Sequence, residues 1–193
     1  QVVTAVGAIA NNGWRMKPRL VREIRNFRGE TIQKFPPETL GRVVSAETCQ
    51  TMLQLMEGVV LEGTASREGT VPGYRVGGKT GTTVKHVEDE DGNRLYVASF
   101  AGIAPIDDPR IVVYVYVDEP QGKRYGGDVA APVFREIVEE ALPLLGVAPS
   151  DPVAWETAQI AKRQGRPDEL LAAVRPAVEE NELQAAMAVD PLL

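Results

Sequence analysis

Two residue types that often carry chemistry are almost missing from this 193-residue sequence, which has one histidine, His86, and one cysteine, Cys49. A lone histidine with no companion ligands offers no metal cluster. His86 stands among charged residues at the end of a predicted strand, so it reads as an exposed side chain. A single cysteine closes no internal disulfide and reports no redox compartment. Cys49 is followed by Met52, Leu53 and Met56 at helical spacing, the setting of a buried, inert thiol. Positive charge is not in excess either. The net charge of -6 argues against non-specific nucleic-acid binding, which needs a basic face. It does not forbid an anionic substrate, because the local field at a site outweighs the total. Long apolar runs are absent. The longest, Ile111 to Val117, has strand length and cannot cross a bilayer. No signal peptide and no initiator methionine open the chain. The expectation is a piece of a longer protein, with any membrane anchor upstream.

What is present suits one folded domain. The length supports a real core, and 44% hydrophobic with 25% charged residues is ordinary for a globular chain. Val2, Val6 and Ile9 predict a helix that Asn12-Gly13 stops. Residues 18–35 are β-rich, and Arg28-Gly29 predicts a hairpin flanked by Leu20, Ile24 and Ile32. Ser45 is a good N-cap for a helix carrying Met52, Leu53, Met56, Val59 and Val60. Three strand-like segments follow at 76–87, 95–104 and 110–118. Their connections are too short for parallel crossovers, so an antiparallel meander is expected. The third segment is nearly continuous Val, Ile and Tyr, which predicts a central strand buried on both faces. Glu88 to Asp91 reads as a solvated hairpin tip. Asp128 is expected to cap a last helix whose Val133, Ile137, Val138 and Leu142 face inward, with Pro132 in its first turn. Trp14 and Trp155 read as packing residues. The fold class is therefore α/β (α+β), an antiparallel sheet with packed helices. The domain is expected to span 1–147. Residues 148–193, rich in Ala and Glu and broken by prolines, read as a helical or partly disordered extension.

Residues 73–80, Gly-Tyr-Arg-Val-Gly-Gly-Lys-Thr, match the phosphate-loop pattern G-x-x-x-x-G-K-T letter for letter. Such a loop follows a buried strand and opens a helix, whose N-terminus cradles phosphate. Here polar loop precedes the motif, and β-branched Thr80-Gly81-Thr82-Thr83-Val84 follows it. A nucleotide-hydrolysing reading is therefore disfavoured.

Read as a strand, Val76-Gly77-Gly78-Lys79-Thr80-Gly81-Thr82-Thr83 resembles the K-T-G box of penicillin-binding proteins and serine β-lactamases. Other segments, in order, extend the resemblance to the class B penicillin-binding proteins, and within them to the FtsI-type division D,D-transpeptidases. Gly63-Thr64-Ala65 resembles their G-T-A segment. Residues 99–105, Ser-Phe-Ala-Gly-Ile-Ala-Pro, resemble their S-F-x-G-x-x-P strand. Val117-Asp118-Glu119-Pro120 and the run from Tyr125 to Phe134 resemble their last strand end and final helix. The likeness covers roughly residues 1–146.

The resemblance implies a fold, the C-terminal portion of the penicillin-recognising domain, and a chemistry. A serine is acylated by the D-alanyl-D-alanine end of a stem peptide, and the acyl group cross-links peptidoglycan. It implies catalytic roles for Lys79 and Thr82, the latter through a backbone N–H in the oxyanion hole, and substrate-binding roles for Thr80, Gly81 and Thr83. Thr hydroxyls and a lysine suit a terminal carboxylate, and Gly81 permits close approach of an extended peptide. Gly63, Thr64, Tyr125 and Gly126 are the residues that could line the site, although Tyr125-Gly126-Gly127 could equally be a flexible turn.

The family also needs S-x-x-K and S-x-N boxes. Serines stand only at 45, 66, 99 and 150, and none begins either motif. No nucleophile lies in this chain. Both boxes are expected upstream, and the chain alone is expected to be inactive. By the same resemblance, the ligands are stem peptide and β-lactam antibiotics, and the partners are glycan polymerase and divisome proteins. No cofactor, metal or nucleic acid is implied. The place is the periplasmic face of the bacterial inner membrane, with the anchor upstream. Two other readings stay open: a D,D-carboxypeptidase or β-lactamase of the same superfamily, and a non-catalytic cell-wall or division binding module.

Overall fold

A computed structural model describes residues 1–65, 68–88, 90 and 92–165. Helix α1 (Val2–Ala10) ends at Asn12-Gly13, both at positive φ, as the stop signal predicts. Short strands β1 (Trp14–Met16) and β4 (Thr39–Arg42) pair antiparallel and bracket a second hairpin, β2 (Glu23–Arg25) with β3 (Thr31–Lys34). The Asn26 side-chain oxygen accepts from the Arg28 and Glu30 N–H groups and closes that turn. Helix α2 (Ala46–Leu61) starts where expected, with the Ser45 hydroxyl accepting from the Thr48 N–H at 3.1 Å.

Strands β5 (Gly77–Glu88), β6 (Arg94–Ala104) and β7 (Ile111–Asp118) form the antiparallel meander that the short connections require. The order β5-β6-β7 corrects one expectation, because the central strand is β6 and not the Val/Ile/Tyr-rich β7. Ala98, Phe100, Ala101, Ile103 and Ala104 of β6 are buried, whereas Tyr116 of β7 is more than half exposed. A β-branched run reports strand propensity and not position in the sheet. Small residues mark the middle strand here, since they let helices approach both faces. At Gly102, an added Cβ would collide with the Phe134 ring.

Each face of the sheet has its own core. On one, Phe100, Ala104 and Val115 pack under Phe134, Val138 and Leu142 of α4 (Ala131–Leu144), with the Phe100 and Phe134 ring centroids 4.9 Å apart. On the other, Ile103 and Ile106 meet Met56 of α2, with Val6 of α1 packed against them. Helix α4 departs from expectation in two ways. Its N-cap is Ala130, without a side-chain cap, because Asp128 belongs to a preceding turn of helix, α3 (Gly126–Val129). Its buried stripe is Ala131, Phe134, Val138 and Leu142, leaving Val133 and Ile137 about 40% exposed. Pro132 does lie in the first turn. Cys49 is fully buried and His86 is exposed, as expected. Trp14 departs from its packing role: it is 43% exposed, with the Arg42 guanidinium 5.9 Å from its ring centroid.

Lys79 and Thr80 continue into further residues of strand as far as Glu88, so no helix opens behind them to cradle phosphate. Past Val147 the chain forms α5 (Pro152–Arg163), with Asp151 accepting from the Ala154 N–H at 3.0 Å as N-cap. Asp89, Asp91 and residues 166–193 of the expected tip and tail lie outside the described residues.

Candidate active site

Strand β5 lies at one border of the described sheet, paired only with β6. Two glycines set its position. A Cβ on Gly77 would meet Ile106 Cδ1 at 2.6 Å and the α2 backbone, and one on Gly78 would enter the Phe100 ring. The strand is thereby pressed against both cores, and side-chain alternation decides which residues share a face. Thr80 and Thr82 share the face of Gly78, while Lys79, Gly81 and Thr83 share the other.

On the Thr80 face the structure brings three segments together. The Thr80 hydroxyl lies 2.7 Å from the Thr64 hydroxyl, beyond the end of α2. The Thr82 hydroxyl accepts from the Gly126 N–H at 3.3 Å, at the start of α3. Gly126 and Gly127 are buried, and neither has room for a side chain. A Cβ on Gly126 would strike the Ser99 and Gly81 carbonyl oxygens, and one on Gly127 the Thr64 carbonyl oxygen. The Tyr125-Gly126-Gly127 segment is therefore a tightly packed helix start and not a loose turn. Lys79 is exposed, with Nζ 3.0 Å from the Thr80 carbonyl oxygen and 3.4 Å from its hydroxyl. Thr83 is exposed further along the strand.

A cavity of about 290 Å³ opens beside this junction, lined by Gly63, Thr64, Ala65, Glu68, Lys123, Gly127 and Asp128. Gly63 and Thr64 were legible in the sequence as candidates. Glu68 and Lys123 come from loops whose residues carry no spacing signal, and only the fold places them. Tyr125 is more than half exposed, with the Arg124 guanidinium 5.4 Å from its ring centroid and 5.0 Å from that of Tyr96. Interaction with the Tyr125 hydroxyl holds the Arg124 guanidinium protonated still more firmly than usual. At the far end of β5, Lys85 bridges Asp118 at 3.0 Å and Glu119 at 2.6 Å, and hydrogen bonds to Glu119 first and Asp118 second raise its pKa.

The described serines have structural places. Ser45 caps α2, Ser150 donates to the Gly73 carbonyl oxygen at 3.4 Å, and Ser99 lies on β6 against Gly81. What the site offers chemically is a strand border rich in hydroxyls with one exposed ammonium, suited to an extended peptide ending in a carboxylate.

A family profile described as the penicillin binding protein transpeptidase domain matches residues 1–139. The chain belongs to this family. Among the relatives of this transpeptidase-domain chain, stage V sporulation protein D of Bacillus subtilis is 43% identical over 151 residues, 77% of this chain and 23% of that protein. Peptidoglycan D,D-transpeptidase FtsI of Escherichia coli is 34% identical over 141 residues, 72% of this chain and 24% of that protein. The chain thus spans about a quarter of the length of these curated relatives. Among solved structures, the transpeptidase domain of penicillin-binding protein 3 from Burkholderia pseudomallei is 40% identical. It superposes with a TM-score of 0.59, covering 78% of this chain and 43% of that one. Penicillin-binding protein 3 of Mycobacterium tuberculosis, complexed with ampicillin, is 33% identical with a TM-score of 0.63, covering 78% and 36%. The fold is that of the penicillin-recognising transpeptidase domains, a mixed α/β arrangement with its antiparallel sheet between helices. Helix α5 lies beyond the residues that the family profile matches.

Proposed function

We propose that this chain is the C-terminal part of a peptidoglycan D,D-transpeptidase that cross-links stem peptides in septal wall synthesis through a serine acyl-enzyme. The observation that carries the reading is the β5 strand of a transpeptidase-family chain with Thr80 bridged to Thr64 and Thr82 bridged to Gly126. Sequence outside these 193 residues supplies the nucleophile, since no serine here begins S-x-x-K. The serine oxygen attacks the penultimate D-alanine carbonyl. The terminal D-alanine leaves with the proton, and an amine of a second stem peptide then displaces the serine.

Residues of this chain hold and polarise that substrate. The Thr80 and Thr82 hydroxyls and the Lys79 ammonium bind the terminal carboxylate. Gly81 lets the peptide lie close against the strand, and Thr83 is a further substrate-binding residue of that strand. The Thr82 backbone N–H contributes to the oxyanion hole, where one donor is worth about 3–4 kcal/mol. Gly63, Thr64, Tyr125 and Gly126 shape the wall of the site. By the same reading, β-lactams acylate the serine in place of substrate. The protein works at the periplasmic face of the inner membrane beside a glycan polymerase and divisome proteins. No helix among the described residues is long and apolar enough to cross a membrane.

The test uses two samples of the full-length protein: covalent labelling of one by a fluorescent penicillin, and incubation of the other, without penicillin, with stem-peptide donor and acceptor. Labelling together with dimeric cross-linked product is expected. Labelling with released D-alanine and no dimer would make it a carboxypeptidase. Absence of labelling at saturating penicillin would leave a binding module.

A further inference from the structure

Helix α5 is fastened to the segment that leads into the K-T-G strand. The Gly73 carbonyl oxygen accepts from the Asp151 N–H at 3.1 Å and from the Ser150 hydroxyl at 3.4 Å. Gly73 has φ +77°, and an added Cβ would lie 2.6 Å from Trp155 Cβ, so α5 occupies the space where a side chain would be. Tyr74 packs edge-on against Trp155, with ring centroids 5.3 Å apart, and its hydroxyl donates to the Val147 carbonyl oxygen at 2.8 Å. At the other end of the helix, Lys162 reaches the buried carboxylate of Glu139 on α4 at 3.1 Å, opposite Arg135 at 3.0 Å. Ala154, Ala158 and Ala161 form the buried stripe between these points.

The next residue is held from the other side. Arg75 makes two 2.8 Å bonds to Glu57 of α2, and its carbonyl oxygen accepts from the Ile106 N–H at 2.8 Å. Residues 73–75 are therefore clamped between α5 and α2, just ahead of Lys79. A slip of one residue in β5 would carry Thr80 and Thr82 to the opposite face, away from Thr64 and Gly126.

We infer that α5 is a positioning element for the active site, fixing the entry and register of β5 and hence the placement of Thr80 and Thr82. This rests on the transpeptidase reading of the chain. It gives a role in the reaction to a helix outside the family-matched residues. Trp155, Lys162 and Gly73 are its positioning residues, and none of them touches substrate.

The experiment measures acylation of the full-length protein by fluorescent penicillin, separating the rate constant from the labelled amplitude. A helix that only adds stability changes the amplitude, through the folded fraction, and leaves the rate constant of folded molecules alone. A positioning helix changes the rate constant. For Trp155→Ala and Lys162→Met, the acylation rate constant is expected to fall about tenfold or more, because small displacements of binding groups cost rate steeply. Lys162→Arg, which keeps the charge on Glu139, is expected to restore it. Val153→Ala, on the exposed side of α5, is expected to match wild type. Rate constants equal to wild type in Trp155→Ala and Lys162→Met, with only the amplitude reduced, would overturn the inference. Failure of the wild-type protein itself to label would instead count against the transpeptidase reading.

Discussion

The hydroxyl of Thr64, past the end of α2, stands 2.7 Å from the hydroxyl of Thr80 on β5. One of the pair donates to the other, which fixes one rotor and sets where the remaining proton or lone pair points. For a carboxylate ligand, Thr80 must donate outward, and Thr64 as a donor to Thr80 favours that arrangement. Replacement by valine keeps the shape and removes the bond. A neutral hydrogen bond is worth about 1 kcal/mol, so Thr64→Val is expected to slow acylation about fivefold and to lower the melting temperature by no more than about 2–4 °C. Thr80→Val should slow it more, because it removes the ligand-facing group itself. Equal effects of the two variants would mean that Thr80 contributes only through its bond to Thr64 and does not itself meet the ligand.

A second expectation sets packing against helix propensity. Gly126 opens α3, where alanine would ordinarily stabilise a helix by up to about 1 kcal/mol. An alanine Cβ there meets the Ser99 carbonyl oxygen and lies 2.7 Å from the Gly81 carbonyl oxygen. Both obstacles are backbone, and neither can rotate aside. Overpacking costs about 1–3 kcal/mol, so Gly126→Ala is expected to lower the urea midpoint and to displace α3 from β5. A raised midpoint would show that the segment relaxes freely.

The sequence carried the local features and lost the non-local ones. Ser45, Asn12-Gly13 and the three strand segments were legible because caps, stops and short connections act within a few residues. Lys79-Thr80-Gly81 was legible as a motif. The central position of β6 was not, because Ala98, Ala101 and Gly102 have weak strand propensity, and their value lies in what packs on them. On α4 the expected Val138 and Leu142 do face inward, but Phe134 takes the place of Val133 and Ile137 stays partly exposed, since Val133 and Phe134 are both apolar and packing on the Phe100 ring chooses between them. Glu68 and Lys123 reach the cavity from separate loops. The docking of Trp155 on Tyr74 joins residues far apart in the chain, beyond the reach of any periodicity.

Cys49 supplies a third expectation. Its side chain is fully buried in α2, so its thiol reacts only when the helix leaves the sheet. Quantified by mass spectrometry of its peptide, modification of Cys49 by a thiol reagent is expected to be negligible in native protein and complete in denaturing urea. Rapid labelling under native conditions would place α2 among the mobile elements and would contradict its packing against β5 and β6.

The last expectation concerns pH. Tyr74 is 6% exposed, and burial raises the pKa of its phenol above the usual tyrosine value. A raised folded-state pKa means that the fold favours the neutral phenol. That stabilisation is fully present below the unfolded value, about pH 10, and is lost as pH climbs through the folded value. The neutral phenol is also the donor to Val147, so ionisation breaks the bond that ties Tyr74 to the approach of α5. Tyr74→Phe removes both effects. At pH 8 it is expected to be less stable than wild type by about 1 kcal/mol, the worth of one hydrogen bond. Towards about pH 11, past the usual tyrosine value, the wild-type protein loses stability that the variant never had, so the gap should close. Urea unfolding of both proteins from about pH 8 to about pH 11, a range that brackets the tyrosine titration, measures it. A gap that stays constant would mean that Tyr74 ionises as freely in the folded chain as in the unfolded one.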